Sequence, residues 1–233
     1  MNFLRYIKRK LRFLLGIKNS TDFYGQAGED AIVMTSFNFL ITKPKGFYLD
    51  IGAYHPWRHS NTYLLYKKGW RGINIDPRPG AKKLFDKYRK GDINIEAGIS
   101  DSDSKMTYYV LDEFSTMNTF SRDNLERLGM LNKITSTYEI PVYSIESLLK
   151  KYPDINNVDY LNIDAEGFEI QILKGINFDT FKPSVISIEQ NNVLTFSEVL
   201  QSEVNLFLQQ KGYSAYAKNL LLKDVATVFY YKL

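Results

Sequence analysis

Acidic residues gathered at the ends of apolar runs are the strongest chemical signal in this 233-residue sequence. The run Tyr160-Leu161-Asn162-Ile163 leads into Asp164-Ala165-Glu166-Gly167-Phe168-Glu169, which places three carboxylates within six residues. Clustered acids repel one another unless they hold a cation, cap a helix or share a proton. Glu169 falls where a first helical turn is expected, a structural position for a carboxylate. That leaves Asp164 and Glu166 as the better active-site candidates. A second run, Val185-Ile186-Ser187-Ile188, ends in Glu189-Gln190-Asn191-Asn192. If the two runs are neighbouring strands about 4.8 Å apart, Asp164 and Glu189 can converge on one oxygen-ligated cation with Asn191 nearby. Mg2+ held there would lower the pKa of a hydroxyl. The alternative is that Glu189 hydrogen-bonds backbone at its strand end.

Two earlier runs carry the same signature. Tyr48-Leu49-Asp50 precedes Ile51-Gly52-Ala53, and a glycine at a strand's carboxyl end lets a ligand approach the backbone closely. The acid two positions earlier suits a ligand with an ammonium group, although Asp-x-Gly also marks ordinary turns. Ile73-Asn74-Ile75 ends in Asp76-Pro77, roughly 25 residues on, where an acid can accept both hydroxyls of a ribose. The competing role for Asp76 is a helix N-cap before Pro77. No Gly-x-Gly-x-x-Gly follows the first run, so a pyrophosphate lacks a cradle, which argues against NAD and sugar-nucleotide cofactors. A third run ends in Ala97-Gly98-Ile99-Ser100-Asp101, a polar turn able to hydrogen-bond an adenine.

The elements that must position these residues alternate in type. Strand-like runs at 47–51, 72–76, 93–97, 158–164 and 185–189 are separated by amphipathic stretches at 62–68, 81–89, 145–151, 169–173 and 197–211. Several runs are apolar on both faces, as strands covered by helices on two sides require. The pattern predicts an α/β fold with a doubly wound, mostly parallel sheet and right-handed crossovers. Near the end, 220–222 and 226–231 flank Lys223-Asp224 and predict an antiparallel hairpin at the sheet edge. Residues 102–143 interrupt the alternation: strand-like 106–111 and 140–143 flank a polar loop with a helix at 122–128. An excursion of this length is expected to serve the site, with residues 112–138 covering an acceptor pocket.

Composition narrows the class. There is no cysteine, hence no disulfide and no thiolate chemistry, and His55 and His59 are the only imidazoles. Six of the 30 bases lie in residues 1–18, leaving 24 against 26 acids in the remainder. The body is slightly acidic, which speaks against nucleic acid as a partner. In the leader, Phe3, Leu4, Ile7, Leu11, Leu14 and Leu15 share one helical arc opposite Arg5, Lys8, Arg9 and Arg12. This basic amphipathic helix, residues 1–20, reads either as a foot on an anionic membrane surface or as a helix packed on its own domain, residues 21–233. Without a signal peptide or spanning segment, the expected location is the cytoplasm, peripheral to the inner face of the membrane if the leader binds lipid.

Taken together the residues resemble the FkbM-type methyltransferases, a class I family that uses S-adenosylmethionine. The similar segments are Tyr24-Gly25-Gln26-Ala27-Gly28-Glu29-Asp30, Gly46 to Ala53, Ser60-Asn61-Thr62, Gly69-Trp70-Arg71-Gly72-Ile73, Gly98 to Asp101 and Ile163 to Glu169. The resemblance implies a Rossmann-like sheet of seven strands with the last antiparallel, and a cofactor lying across the ends of the first two. It implies Asp50 and Gly52 near the methionine portion, Asp76 at the ribose, Ser100 with Asp101 near the adenine, and Ala53 against the cofactor. Asn61, Pro77 and Asp164 are expected against the cofactor as well. Tyr54-His55-Pro56 departs from the family's usual sequence after Gly52, so that loop is expected to differ in shape. The family methylates oxygens of sugars and natural products, which implies a hydroxyl of a surface glycan, a glycolipid precursor or a small natural product as acceptor. Hydroxyl methylation needs a base, and His55 is the first candidate, with Glu166 the alternative. A non-catalytic glycan- or lipid-binding module and a nucleotide-sugar oxidoreductase are the competing readings.

Overall fold

The computed structural model of the chain describes residues 22–232 other than 154, 156 and 223, together with residues 7, 10, 11, 14 and 15. The amphipathic helix expected over residues 1–18 therefore lies largely outside the described residues. Along the described chain the strands are β1 (Phe47–Ile51), β2 (Arg71–Ile75), β3 (Ile93–Ile95), β4 (Gly98–Ser100), β5 (Ser104–Val110), β6 (Ser136–Ser144), β7 (Tyr160–Ile163), β8 (Val185–Asn191), β9 (Tyr213–Leu220) and β10 (Val225–Lys232). The α-helices are α1 (Glu29–Thr35), α2 (Tyr63–Lys67), α3 (Ala81–Tyr88), α4 (Arg122–Arg127), α5 (Ile145–Lys150), α6 (Glu169–Lys174), α7 (Phe196–Gln201) and α8 (Glu203–Gln210).

Seven strands form the main sheet in the order β3-β2-β1-β7-β8-β10-β9, and β10 runs antiparallel to both of its neighbours. The order reverses between β1 and β7, and a ligand crevice opens at such a switch point. Alternation along the strands explains the two-sided burial. Leu49, Ile51, Leu161, Ile163, Ile186 and Ile188 join one core with Ile172, Leu173 and Leu208. Tyr48, Tyr160, Val185 and Phe229 face the opposite layer, packing with Val33, Phe37, Leu65 and Trp70. The doubly wound, mostly parallel α/β fold with a C-terminal antiparallel hairpin is what the sequence pattern predicted. Among the described residues, no helix is long and apolar enough to cross a membrane.

Three local expectations are corrected. Residues 97–101 are not a simple turn after the third strand: Gly98–Ser100 is β4, paired parallel to β6, which pairs antiparallel to β5 in a second sheet. Gly98 permits this because a Cβ there would lie 2.8 Å from the Phe120 ring. The stretch 197–211 is two helices, since Ser202 takes an extended conformation (ψ 146°) that ends α7 while its hydroxyl accepts Asn205 N–H and caps α8. The hairpin's first strand is Tyr213–Leu220, so Leu221 and Leu222 belong to the turn rather than to a strand.

Beneath the carboxyl ends of β1 and β2 lies a buried cation. Arg89, just past α3, is fully buried with Asp92, its Nε donating to Asp92 Oδ2 at 2.9 Å. Its Nη1 donates to Pro56 O at 2.9 Å and its Nη2 to Thr62 Oγ1 at 3.1 Å and to the Tyr48 hydroxyl. Thr62 Oγ1 in turn donates to Asp50 Oδ2 at 2.6 Å. Removing one partner of a buried, hydrogen-bonded pair costs about 3–5 kcal/mol, because the other charge stays behind unpaired. Arg89→Met should therefore lower unfolding stability by about that amount in urea. An unchanged midpoint would show that the network does not hold the sheet.

Candidate active site

A cavity of about 380 Å³ opens at the carboxyl edge of the main sheet, walled by the ends of β1, β2, β7 and β8, the excursion between β5 and β6, and the turn between β9 and β10. That volume lies at the lower end of the usual range for small-molecule sites, roughly 300–1,000 Å³.

Its first wall is the loop after β1. Gly52 (φ +78°) and Ala53 both donate N–H to Ile75 O, at 2.9 and 3.0 Å, folding the loop over the end of β2. Only glycine fits at residue 52, since a Cβ there would lie 1.7 Å from Asp164 O. Tyr54, with φ +52°, donates its N–H to Asp76 Oδ2 at 2.8 Å. Arg78 N–H reaches Asp76 Oδ1 at 2.9 Å, and the Arg78 guanidinium stands 3.6 Å from the same oxygen. Asp76 is thus buried but fixed in the cleft wall, its pKa raised by desolvation against the lowering pull of Arg78. Ala53, Asn61 and Pro77 line the cleft beside it. Asp50 borders the cavity too, but both its oxygens are engaged, accepting from Thr62 Oγ1 at 2.6 Å and from Asn162 Nδ2 at 2.9 Å.

The opposite wall is acidic. One carboxylate oxygen from each of Asp164, Glu166 and Glu189 lies within 4.8 Å of the others, all three side chains being partly buried. Burial first, and then mutual repulsion, raise all three pKa values, Glu189 to about 8. Glu169 plays the structural role expected of it, its Oε1 accepting Ala165 N–H at 3.0 Å and Gly167 N–H at 3.1 Å. Asn191 lines the same cleft. The excursion forms the roof: Ser115, Thr116 and Met117 line the cavity, and the Tyr54 hydroxyl ties the roof to the first wall by donating to Phe114 O at 2.8 Å.

Three expected site residues stand elsewhere. Ser100 and Asp101 do not line the cavity, because β4 leads the chain away into the second sheet; Asp101 packs on Gly175 behind α6, where a Cβ would come 2.5 Å from its Cα. His55 is likewise absent from the lining, its Nδ1 accepting Arg58 N–H at 3.2 Å inside its own turn, with its ring edge-on to Trp57. The imidazole that does line the cavity is His59, passed over as a candidate in the sequence. Its φ is +54°, its ring stacks on Tyr54, and its Nδ1 is buried without a hydrogen-bond partner. Desolvation, and then Arg58, lower its pKa, so it is neutral near pH 7. Residue type was its only signal in the sequence.

The acidic wall has a consequence for stability. Glu189 has a folded pKa of about 8, above its ordinary value of 4.5, so its stabilising contribution is complete below the ordinary value and is lost as pH rises through the folded one. Glu189→Gln should raise the melting midpoint at pH ~9 and change it little at pH ~5. Equal midpoints for the two proteins at the higher pH would refute the repulsion.

Comparison with known proteins assigns the chain. The family described as "Methyltransferase FkbM domain" matches residues 50–215. Among solved structures, a 1,6-didemethyltoxoflavin-N1-methyltransferase from Burkholderia thailandensis, with bound 1,6-didemethyltoxoflavin and S-adenosylhomocysteine, is 10% identical with a TM-score of 0.46, over 97% of this chain and 85% of that one. A TehB-like SAM-dependent methyltransferase from Corynebacterium glutamicum is 11% identical with a TM-score of 0.42, over 98% of this chain and 97% of the other. No match is found among curated proteins. With its family matched across most of its length, the chain belongs to the FkbM methyltransferases, class I enzymes that take a methyl group from S-adenosylmethionine.

Proposed function

We propose that this methyltransferase acts on oxygen, methylating a sugar hydroxyl of a surface glycan or glycolipid precursor, with the Glu166–Glu189 pair as the base. The observation that carries the reading is the carboxylate wall, where burial first and then the neighbouring acids raise Glu189 to about 8. A hydroxyl methyltransferase needs such a group: a base whose pKa lies near the working pH combines availability with proton affinity. Family habit supports the sugar acceptor, as does the polar character that Asn124, Asn191 and Asp224 give the cavity.

The cleft fits the cofactor on chemical grounds. S-adenosylmethionine carries an ammonium and a sulfonium, and the cleft has carboxylates at Asp76, Asp164, Glu166 and Glu189. When bound, it supplies an electrophilic methyl group. The residues of the chain do the rest. Asp76, fixed by the Tyr54 and Arg78 N–H groups, accepts hydrogen bonds from the ribose hydroxyls. Gly52 and Ala53 keep the backbone clear beside it. The carboxylate pair takes the acceptor's proton as the new bond forms, and the roof excludes water from the reacting atoms.

Asp76→Ala should weaken cofactor binding about tenfold or more by calorimetry, the worth of charge-assisted hydrogen bonds. Unchanged affinity would remove Asp76 from the ribose. For the reaction itself, label from methyl-tritiated cofactor is expected in a sugar fraction, stable to mild alkali as an ether is and an ester is not. Turnover should survive chelator, and kcat/KM should rise with pH to a plateau above about 8 as Glu189 loses its proton. Label confined to small non-sugar products would transfer the reading to a natural-product acceptor. Turnover abolished by chelator, with cofactor binding intact, would make the wall a Mg2+ site instead.

A further inference from the structure

We infer that Thr119 is a positioning residue: its hydroxyl clamps the backbone of Glu166 and thereby sets where that carboxylate stands in the cleft. Glu166 has φ +52° and is followed by Gly167 at φ +107°. A residue with a side chain adopts the left-handed region only where its surroundings enforce it. On one side the enforcement is local, with Glu169 accepting the N–H groups of Ala165 at 3.0 Å and Gly167 at 3.1 Å. Those bonds hold the Asp164–Ala165 and Glu166–Gly167 peptides by their nitrogens.

The carbonyl of Glu166 is held from outside the turn. Thr119 Oγ1 donates to Glu166 O at 3.0 Å and accepts Ser121 N–H at 2.9 Å. A hydroxyl has one proton to give, and the Ser121 contact occupies a lone pair, so the proton is directed at Glu166. Thr119 is itself anchored. It is buried at 2% exposure, and its backbone pairs with Tyr109 in both directions, at 2.8 and 3.1 Å, which ties it to β5 of the second sheet. The small sheet therefore does more than carry a roof, because it reaches through Thr119 to the turn that presents Glu166. Without this bond the Glu166–Gly167 peptide is held only at its nitrogen by Glu169, so its carbonyl can tilt, helped by the glycine, and the carboxylate leaves the neighbourhood of Asp164 and Glu189.

The inference deepens the proposed reaction and rests on Glu166 serving as part of its base. Thr119→Val keeps the shape and removes the donor, while Thr119→Ser keeps the donor. Crystal structures of both variants and kinetics of the full chain test the clamp. The expected result for Thr119→Val is a Glu166 φ outside the left-handed region, kcat lower by about tenfold or more, the worth of a buried hydrogen bond left unmade, and KM for cofactor nearly unchanged. Thr119→Ser should restore both conformation and kcat. Thr119→Ala serves in place of Val if that variant does not fold. A Thr119→Val structure in which Glu166 keeps its φ overturns the inference whatever the rate. If Glu166 moves and kcat stays at the wild-type value, the clamp stands, and it is the assignment of Glu166 to the base that falls.

Discussion

The guanidinium of Arg89 is the fixed point on which the cleft is built. A cation at full burial is tolerated only where its donors find partners, and here the partners come from five segments: Tyr48 on β1, Pro56 and Thr62 on the loop and turn after it, Asn74 on β2, and Asp92 before β3. Asp92 extends the grip, accepting Gly72 N–H at 3.1 Å and Asn74 Nδ2 at 3.0 Å on β2. Asp50 is held one step away through Thr62. The ends of β1 and β2 are thereby locked to each other and to the loop between β1 and α2. That loop carries Gly52, Ala53, Tyr54 and His59 into the cavity. Asp50, the acid that looks most available in the sequence, serves this scaffold through both its oxygens, whereas Asp76 is held at the cleft wall by the backbone N–H groups of Tyr54 and Arg78.

Backbone strain is concentrated where this scaffold meets the cleft. Five described residues other than glycine have positive φ, Thr42, Tyr54, His59, Glu166 and Asn192, and Tyr54, His59 and Glu166 line the cavity. Asn192 follows Asn191, which lines it too. Each conformation needs enforcement, and the enforcing groups can be named for two of them: the Asp76 carboxylate for Tyr54, and Glu169 with Thr119 for Glu166. Two acids that read as a single motif in the chain thus divide the work, Glu169 folding the turn and Glu166 being presented by it.

What the sequence revealed follows from which interactions are local. β1, β2, β7 and β8 were legible because strands buried on both faces must be apolar throughout, and the acids ending those runs fall at the sheet's carboxyl edge. Hence Asp76, Asp164, Glu166 and Glu189, expected at that edge, line one cavity. β4 was not legible. It is three residues long, and its parallel partner β6 lies some 40 residues further on, a pairing that no local pattern encodes. Ser100 and Asp101 were misplaced for that reason alone. The histidines failed differently: His55 and His59 share one loop, and only the direction the chain takes after Pro56 decides which ring faces the cavity. The hairpin was found but set late, because β9 is half-buried along its length and lacks the continuous buried run of its partner.

The electrostatics of the cleft also bear on turnover. Among the described residues six carboxylates line it, at Asp50, Asp76, Asp164, Glu166, Glu189 and Asp224, against two guanidiniums, at Arg78 and Arg127. With Asp50 and Asp76 largely compensated by the scaffold and by Arg78, the uncompensated acids lie on the far wall, where burial first and then mutual repulsion raise the pKa values. A cofactor with a net positive charge relieves that repulsion, so its binding is favoured by the same crowding that penalises the ligand-free fold. Methyl transfer removes the sulfonium charge and leaves a neutral thioether. The attraction to the wall weakens at that moment while the shape of the ligand hardly changes. An acidic cleft thus favours reactant over product without needing any difference in contact area, and on the proposed reading it draws that preference from the same carboxylates that take the proton.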